Sequence, residues 1–157
     1  MTKKDSSTFC PYPWIHMMTH PVGTMSFCCV ASNQLKTDNG FTEFDGMQVG
    51  EPFMLNKGAK MSDVWNGTHM RHIRRQMDTG QKVVGCEPCY DLEKYGIPSY
   101  RENYIKDWMG FHREAEHIQQ IIDKSRENDY YVDEDPMYLD FRLGTLCNLR
   151  CRMCQSQ

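Results

Sequence analysis

Three cysteines near one end of the chain restrict its local structure more than any other feature. Cys147, Cys151 and Cys154 form a Cys-x3-Cys-x2-Cys group that follows a strand-like run. Thiolates are soft ligands suited to iron-sulfur clusters or zinc, and one tight loop can bring these three to three irons of a [4Fe-4S] cubane, leaving the fourth iron open. A zinc knuckle more commonly uses a Cys-x2-Cys pair completed from elsewhere. The spacing therefore predicts an iron-sulfur cluster, with structural zinc or unused thiols as the alternative.

The same loop and the strand before it resemble the radical S-adenosylmethionine enzyme family. The matching residues are the three cysteines, Asn148 and Leu149 between the first two of them, and the preceding segment 138–144. The resemblance implies that S-adenosylmethionine binds the open iron and is cleaved by an electron to a 5′-deoxyadenosyl radical, which abstracts hydrogen from a substrate. It also implies an electron donor such as a flavodoxin or a ferredoxin. The cysteine triplet is thus predicted to bind the cofactor, and no catalytic side chain is assigned.

Composition restricts the compartment and the partners. The chain has 157 residues, 39% hydrophobic and 25% charged, which is the bulk of one ordinary domain. Its net charge of -3 gives no electrostatic reason to expect a nucleic acid partner. Residues 1–8 lack an apolar signal core, and no run is long enough to span a bilayer, so no membrane partner is expected. We expect a cytoplasmic protein whose eight cysteines serve as metal ligands rather than disulfides.

A second group of cysteines is spread over the first half of the chain. The pattern predicts a β-hairpin with strands over 14–20 and 24–30, joined by a Pro-Val-Gly turn. This hairpin returns the chain towards its own start, and a later Cys-x2-Cys turn supplies two more thiolates. The predicted ligands of this second site are Cys10, Cys28, Cys86 and Cys89.

The spacing from Cys10 through Gly23 to Cys28, followed by the distant Cys-x2-Cys, is similar to the auxiliary-cluster modules called SPASM and twitch domains, here in the single-cluster twitch form. Those modules accompany radical S-adenosylmethionine enzymes, many of which modify peptides. The resemblance implies a second [4Fe-4S] cluster and a peptide as a candidate substrate. Cys29 competes with Cys28, and since neighbours on a strand point to opposite faces only one should bind; the glycine spacing favours Cys28. The alternative is zinc on the same four cysteines, in an adaptor module without catalytic activity.

The remaining segments predict helices and loops. Turn-forming residues predict a loop with one short strand over 31–60. A helix with an apolar stripe is predicted over 62–80, and a longer helix is predicted to begin at a capping box of Ser99 and Glu102 and to reach Ile122. The arginines expected on the solvated face of the first helix are Arg71, Arg74 and Arg75.

These features together predict an α+β chain. Residues 1–128 would form a small cysteine-rich module of hairpin and helices, residues 129–136 an acidic linker, and residues 137–157 the first strand and cluster loop of an α/β barrel resembling a TIM barrel. Such a barrel takes roughly 200 residues, so its remainder is missing and we expect an N-terminal fragment. The parent would be the enzyme and this chain alone inactive. In the barrel strand, the apolar residues would face covering helices, and Asp140 and Arg142 would face the interior.

Overall fold

The structure is a computed structural model that describes residues 8–38, 42–44, 47–111, 113–142 and 144. The predicted cluster loop with Cys147, Cys151 and Cys154 lies outside the described residues. Within them, short helices combine with small sheets, and no helix of this part of the chain is long and apolar enough to cross a membrane.

The described elements alternate short strands with helices of four to thirteen residues. In chain order they are α1 (Tyr12–Ile15), β1 (His16–Thr19), β2 (Met25–Ser26), β3 (Thr42–Phe44), β4 (Met47–Val49), a 3-10 turn (Leu55–Lys57), α2 (Met61–Trp65), α3 (Thr68–Asp78), α4 (Glu87–Lys94), α5 (Tyr100–Tyr104), a π-helix (Ile105–Phe111), α6 (Ala115–Glu127) and β5 (Tyr138–Phe141).

The predicted hairpin is present, but its strands are shorter than expected. β1 and β2 pair antiparallel, with Met18 opposite Ser26 and Thr19 opposite Met25. The residues before β1 form α1 instead of continuing the strand. Pro13 lies in the first turn of that helix, where a missing N–H removes no helical hydrogen bond. The strand prediction for Trp14 and Ile15 was therefore wrong, because the proline favours a helical start.

β5 joins the sheet of the hairpin as a parallel strand. The sheet order is β2-β1-β5, and the parallel register runs from His16 opposite Tyr138 to Thr19 opposite Phe141. Leu139 packs against the main hydrophobic core, whereas Phe141 is 51% exposed. The apolar face of β5 was expected to be covered by helices. Leu139 on that face is covered, but Phe141 is exposed.

The helix predicted over 62–80 is divided into α2 and α3. Asn66 separates them, and its side chain donates to the carbonyl of Val132 and accepts from the N–H of the same residue at 2.8 and 2.9 Å. Lys60, and not Ser62, occupies the N-cap of α2. The predicted apolar stripe is nevertheless buried throughout: its members are Trp65, His69, Ile73 and Met77.

The predictions for two further segments, residues 31–60 and the helix after Ser99, are only partly right. The segment predicted as loop with one strand contains the antiparallel pair β3–β4. The capping box is confirmed, since Ser99 Oγ accepts from the N–H of Glu102 at 3.1 Å and Glu102 Oε2 accepts from the N–H of Ser99 at 2.9 Å. The long helix after it is divided into α5, a π-helix and α6.

The acidic segment 129–136 is anchored to the helices. Val132 is buried, and the Trp65 indole N–H donates to the carbonyl of Glu134 at 2.8 Å. Asp133 and Asp135 remain exposed, as a solvated charge run predicts. The segment therefore runs along the helical layer before it enters β5.

Arg74 contradicts the prediction that all three arginines of α3 lie on a solvated face. Its side chain is fully buried and donates to the backbone carbonyls of Pro13, Trp65 and Tyr130 at 2.8 to 2.9 Å, and to Asn66 Oδ1 at 3.0 Å. Its guanidinium also lies over the Trp65 ring, 4.5 Å from the centroid. Burial lowers the pKa of Arg74 to about 9. The guanidinium thus joins α1, α2 and the turn after α6.

Replacing this buried arginine is predicted to destabilise the fold strongly. Arg74→Met leaves several buried carbonyl oxygens without donors, so the free energy of unfolding should fall by about 3 kcal/mol or more. Arg75→Met is the matched control, because it removes the same charge from the next position of α3, where the side chain is half exposed and pairs with Asp129 on the surface. We expect that control to cost less than about 1 kcal/mol in urea denaturation. Equal losses in the two variants would contradict the assignment.

Candidate metal centre

Four cysteines from three separate stretches of the chain border one cavity. Cys10 precedes α1, Cys28 follows β2, and Cys86 and Cys89 lie at the start of α4. All four are free thiols. Its wall is otherwise mostly apolar, with contributions from Phe27, Val30 and Met77. The structure therefore brings together the four residues predicted for the second site.

The structure also distinguishes the two neighbouring cysteines. Cys28 lines the cavity, while Cys29 is not among the described residues of its wall. The sulfur of Cys29 lies 3.3 Å from the hydroxyl oxygen of Tyr104. Because the thiol of Cys28 donates to Cys29, the pKa of Cys28 is raised and that of Cys29 is lowered. This placement favours Cys28 as the ligand, and ligation itself stays a prediction.

The Cys-x2-Cys turn is built by the start of α4. The N–H of Cys86 donates to the carbonyl of Val83 at 3.2 Å, and the N–H of Cys89 donates to the carbonyl of Cys86 at 3.0 Å. Pro88 lies in the first turn of the helix, where its missing N–H removes no helical hydrogen bond. The helical turn places both thiols of the motif on the cavity wall.

Gly85 connects this turn to the loop after Cys28. Its carbonyl accepts from the N–H of Ser32 at 3.1 Å. Its φ of +98° is in the region that disfavours residues with a Cβ, and a Cβ built there would lie 2.7 Å from the Cβ of Asn33. A glycine is therefore required for these two backbones to approach so closely.

The thiols experience opposing electrostatic influences. Burial raises the pKa of Cys10 to about 12 and also raises the pKa values of Cys86 and Cys89. Backbone N–H groups that hydrogen-bond to the sulfurs act in the other direction, from Tyr12 to Cys10 and from Arg101 to Cys89. A backbone N–H of Val30 is directed in the same way at Cys28. Without a cation the thiols stay protonated, while a bound metal would stabilise thiolates that already have amide donors.

The arrangement can be compared with the requirements of zinc and of a cluster. A zinc ion needs its sulfur ligands about 2.3 Å from a single point. In a [4Fe-4S] cluster each thiolate binds a different iron, so four sulfurs surround a volume. In the described part of the chain, no three or more His, Cys, Asp or Glu side chains are arranged so that they could hold a metal ion. The four cysteines share the wall of one cavity, their thiol donors are of the type that both zinc and iron-sulfur clusters use, and the cluster stays a prediction.

Two residues of the cavity wall were missed as site residues by the sequence analysis. Tyr104 stacks on Tyr12, with ring centroids 3.7 Å apart and an interplanar angle of 8°. Arg101 is only 8% exposed although it lies in the first turn of α5, where a cation is unfavourable beside the helix dipole. That unfavourable position is a sequence signal for Arg101, because it indicates a partner strong enough to hold the charge there. Tyr104 resembles an ordinary core aromatic in the sequence.

No protein-family model, curated protein or solved structure matches this chain. The residues predicted to bind the catalytic cluster, Cys147, Cys151 and Cys154, lie outside the described part of the chain. Their role therefore stays a prediction.

The close approach at Gly85 yields a direct test. Gly85→Ala should lower the free energy of unfolding by about 2 to 4 kcal/mol, because it combines the cost of a positive φ with overpacking against Asn33. Gly58→Ala is the matched control, since Gly58 has a similar φ of +88° but no heavy atom within 4 Å of its added Cβ. The control should cost only about 1 to 2 kcal/mol in urea denaturation. A loss at Gly85 no larger than that at Gly58 would refute the close approach.

Proposed function

We propose that this chain belongs to a radical S-adenosylmethionine enzyme and contributes two [4Fe-4S] centres. Cys10, Cys28, Cys86 and Cys89 would hold an auxiliary cluster. Cys147, Cys151 and Cys154 would hold the cluster that binds S-adenosylmethionine. The observation that carries the proposal is the convergence of the first four cysteines on one cavity.

The chemistry of the donor set supports a cluster at the four-cysteine cavity. Four thiolates close the coordination of a [4Fe-4S] cluster, so this centre would have no open iron for chemistry. Its role would be to transfer electrons or to position a substrate. Hydrogen bonds to the sulfurs and a mostly apolar wall are features that proteins use to set the reduction potential of such clusters.

The sheet supports the proposed place of the cysteine triplet. β5 is the strand expected before the triplet, it pairs parallel to β1, and Cys147 follows β5 after a few residues of sequence. When bound, the catalytic cluster would supply the electron that cleaves S-adenosylmethionine to a 5′-deoxyadenosyl radical for hydrogen abstraction. A peptide substrate, a flavodoxin or ferredoxin as electron donor, and a cytoplasmic location complete the proposal.

Metal analysis of the anaerobically reconstituted chain tests this function. The wild-type protein should contain about eight iron and about eight acid-labile sulfide atoms, which correspond to two four-iron clusters. The combined replacement of Cys147, Cys151 and Cys154 by alanine should remove about half of both. Replacing Cys10, Cys28, Cys86 and Cys89 by alanine should remove the other half.

Two outcomes would contradict the proposal. Stoichiometric zinc without sulfide would identify a zinc-stabilised adaptor instead. Iron and sulfide contents that neither set of replacements changes would show that the cysteines do not bind the clusters. Circular dichroism of each variant provides the control for folding.

The choice between the neighbouring cysteines yields a separate prediction. Cys28→Ser should abolish the auxiliary cluster, because it removes a sulfur from the cavity wall. Cys29→Ser should retain the iron and sulfide content, because the Cys29 thiol lies against the Tyr104 hydroxyl. Iron and sulfide analysis in a background that lacks the 147–154 triplet isolates the effect. Loss of the cluster in the Cys29 variant, with retention in the Cys28 variant, would reverse the assignment.

A further inference from the structure

Arg101 is held firmly at the cavity of the four cysteines. Its Nε and Nη2 donate to Glu93 Oε1 and Oε2 at 2.9 and 2.6 Å, and its Nη1 donates to the carbonyl of Phe9 at 2.8 Å. The hydroxyl of Ser99 donates to Glu93 Oε1 at 2.5 Å. Each member of the pair is thus fixed by further hydrogen bonds, which restrict the guanidinium to one orientation.

Arg101 contacts the chain beside two of the predicted ligands. The Phe9 carbonyl that accepts from its side chain belongs to the residue just before Cys10. Its backbone N–H is directed at the sulfur of Cys89. Arg101 therefore contacts two of the three stretches of chain that supply the cysteines.

The charges of the pair differ in their position relative to the cavity. Among the described residues of the cavity wall, Arg101 is the only one that is charged at neutral pH, and Glu93, its partner, is not part of that wall. The pair is largely buried, with side chains 10% and 18% exposed, so solvent screens it weakly. Burial raises the pKa of Glu93, but the hydrogen bonds from Arg101 and Ser99 lower it by more. The net pKa therefore lies below its ordinary value. Both groups are accordingly charged at neutral pH.

We propose that Arg101 and Glu93 act in opposite directions on the reduction potential of the metal centre at the four-cysteine cavity, with Arg101 raising it and Glu93 lowering it. This inference rests on the proposed function, because it requires a redox-active cluster on the four cysteines. One-electron reduction would make a cluster on these thiolates more negative by one unit, with the electron supplied by the donor and no bond broken. A neighbouring cation stabilises the reduced form and a neighbouring anion destabilises it.

The test is a redox titration of a protein with a single cluster. The background is the full 157-residue chain with Cys147, Cys151 and Cys154 replaced by alanine, reconstituted anaerobically with iron and sulfide. Dithionite supplies the electron, and electron paramagnetic resonance monitors the reduced cluster. Glu93→Gln, Arg101→Gln, Arg101→Lys and the double variant of Arg101→Gln with Glu93→Gln are compared with the background.

The expected shifts have opposite signs. Arg101→Gln should disfavour reduction about tenfold, which is a potential about 59 mV lower for a one-electron couple, and Glu93→Gln should shift it upward by a similar amount. Arg101→Lys keeps the charge and should shift the potential by less than half as much. The double variant should lie closer to the background than either single replacement.

The outcomes separate this inference from the function beneath it. A background protein without iron and sulfide would refute the cluster and the inference together. A cluster that assembles normally, but whose potential is unchanged in the Glu93 and Arg101 variants or moves in the same direction in both, would overturn the tuning role alone. If Arg101→Gln fails to assemble, Glu93→Gln and Arg101→Lys still decide, because a merely structural pair predicts no upward shift on removal of the carboxylate.

Discussion

The close approach between Gly85 and Asn33 fixes the separation of the two halves of the four-cysteine cavity. Cys28 belongs to the loop on one side of this contact, and Cys86 and Cys89 belong to the turn on the other. The thiols themselves make no bond that would hold the halves together, since all are free. Packing of the backbone at Gly85 therefore holds the two sides of the cavity together.

The convergence of the four cysteines could be predicted in part, because two short sequence features contribute to it. A Cys-x2-Cys turn at a helix start and a hairpin with a glycine turn are short-range features, and both are present. The charge environment could not be read in the same way. Glu93 and Arg101 lie in different helices, and their pairing depends on how α4 and α5 turn about Ser99. The ion pair at the cavity is thus less visible in the sequence than the cysteines are.

The fold shows the same division between local and long-range information. The capping box at Ser99 and the apolar stripe of α3 were predicted, because each follows from the residues of one segment. The burial of Arg74 was not, since its acceptors are main-chain carbonyls from distant segments that carry no side-chain pattern. The break at Asn66 has a similar origin. The side-chain amide of Asn66 bonds to the backbone of Val132, which lies 66 residues further along the chain.

The parallel pairing of β1 with β5 links the cavity to the strand that precedes the cysteine triplet. Parallel strands need a crossover connection between them, and here residues 20–137 form that crossover. It contains Cys28, Cys86 and Cys89, while Cys10 lies just before β1. The four-cysteine cavity is therefore built within and beside a strand–crossover–strand unit. Because β1 and Leu139 of β5 pack on the same core, a change that displaces the cavity wall should also displace the end of β5. The four-cysteine cavity and β5 are thus parts of one packed unit of the fold.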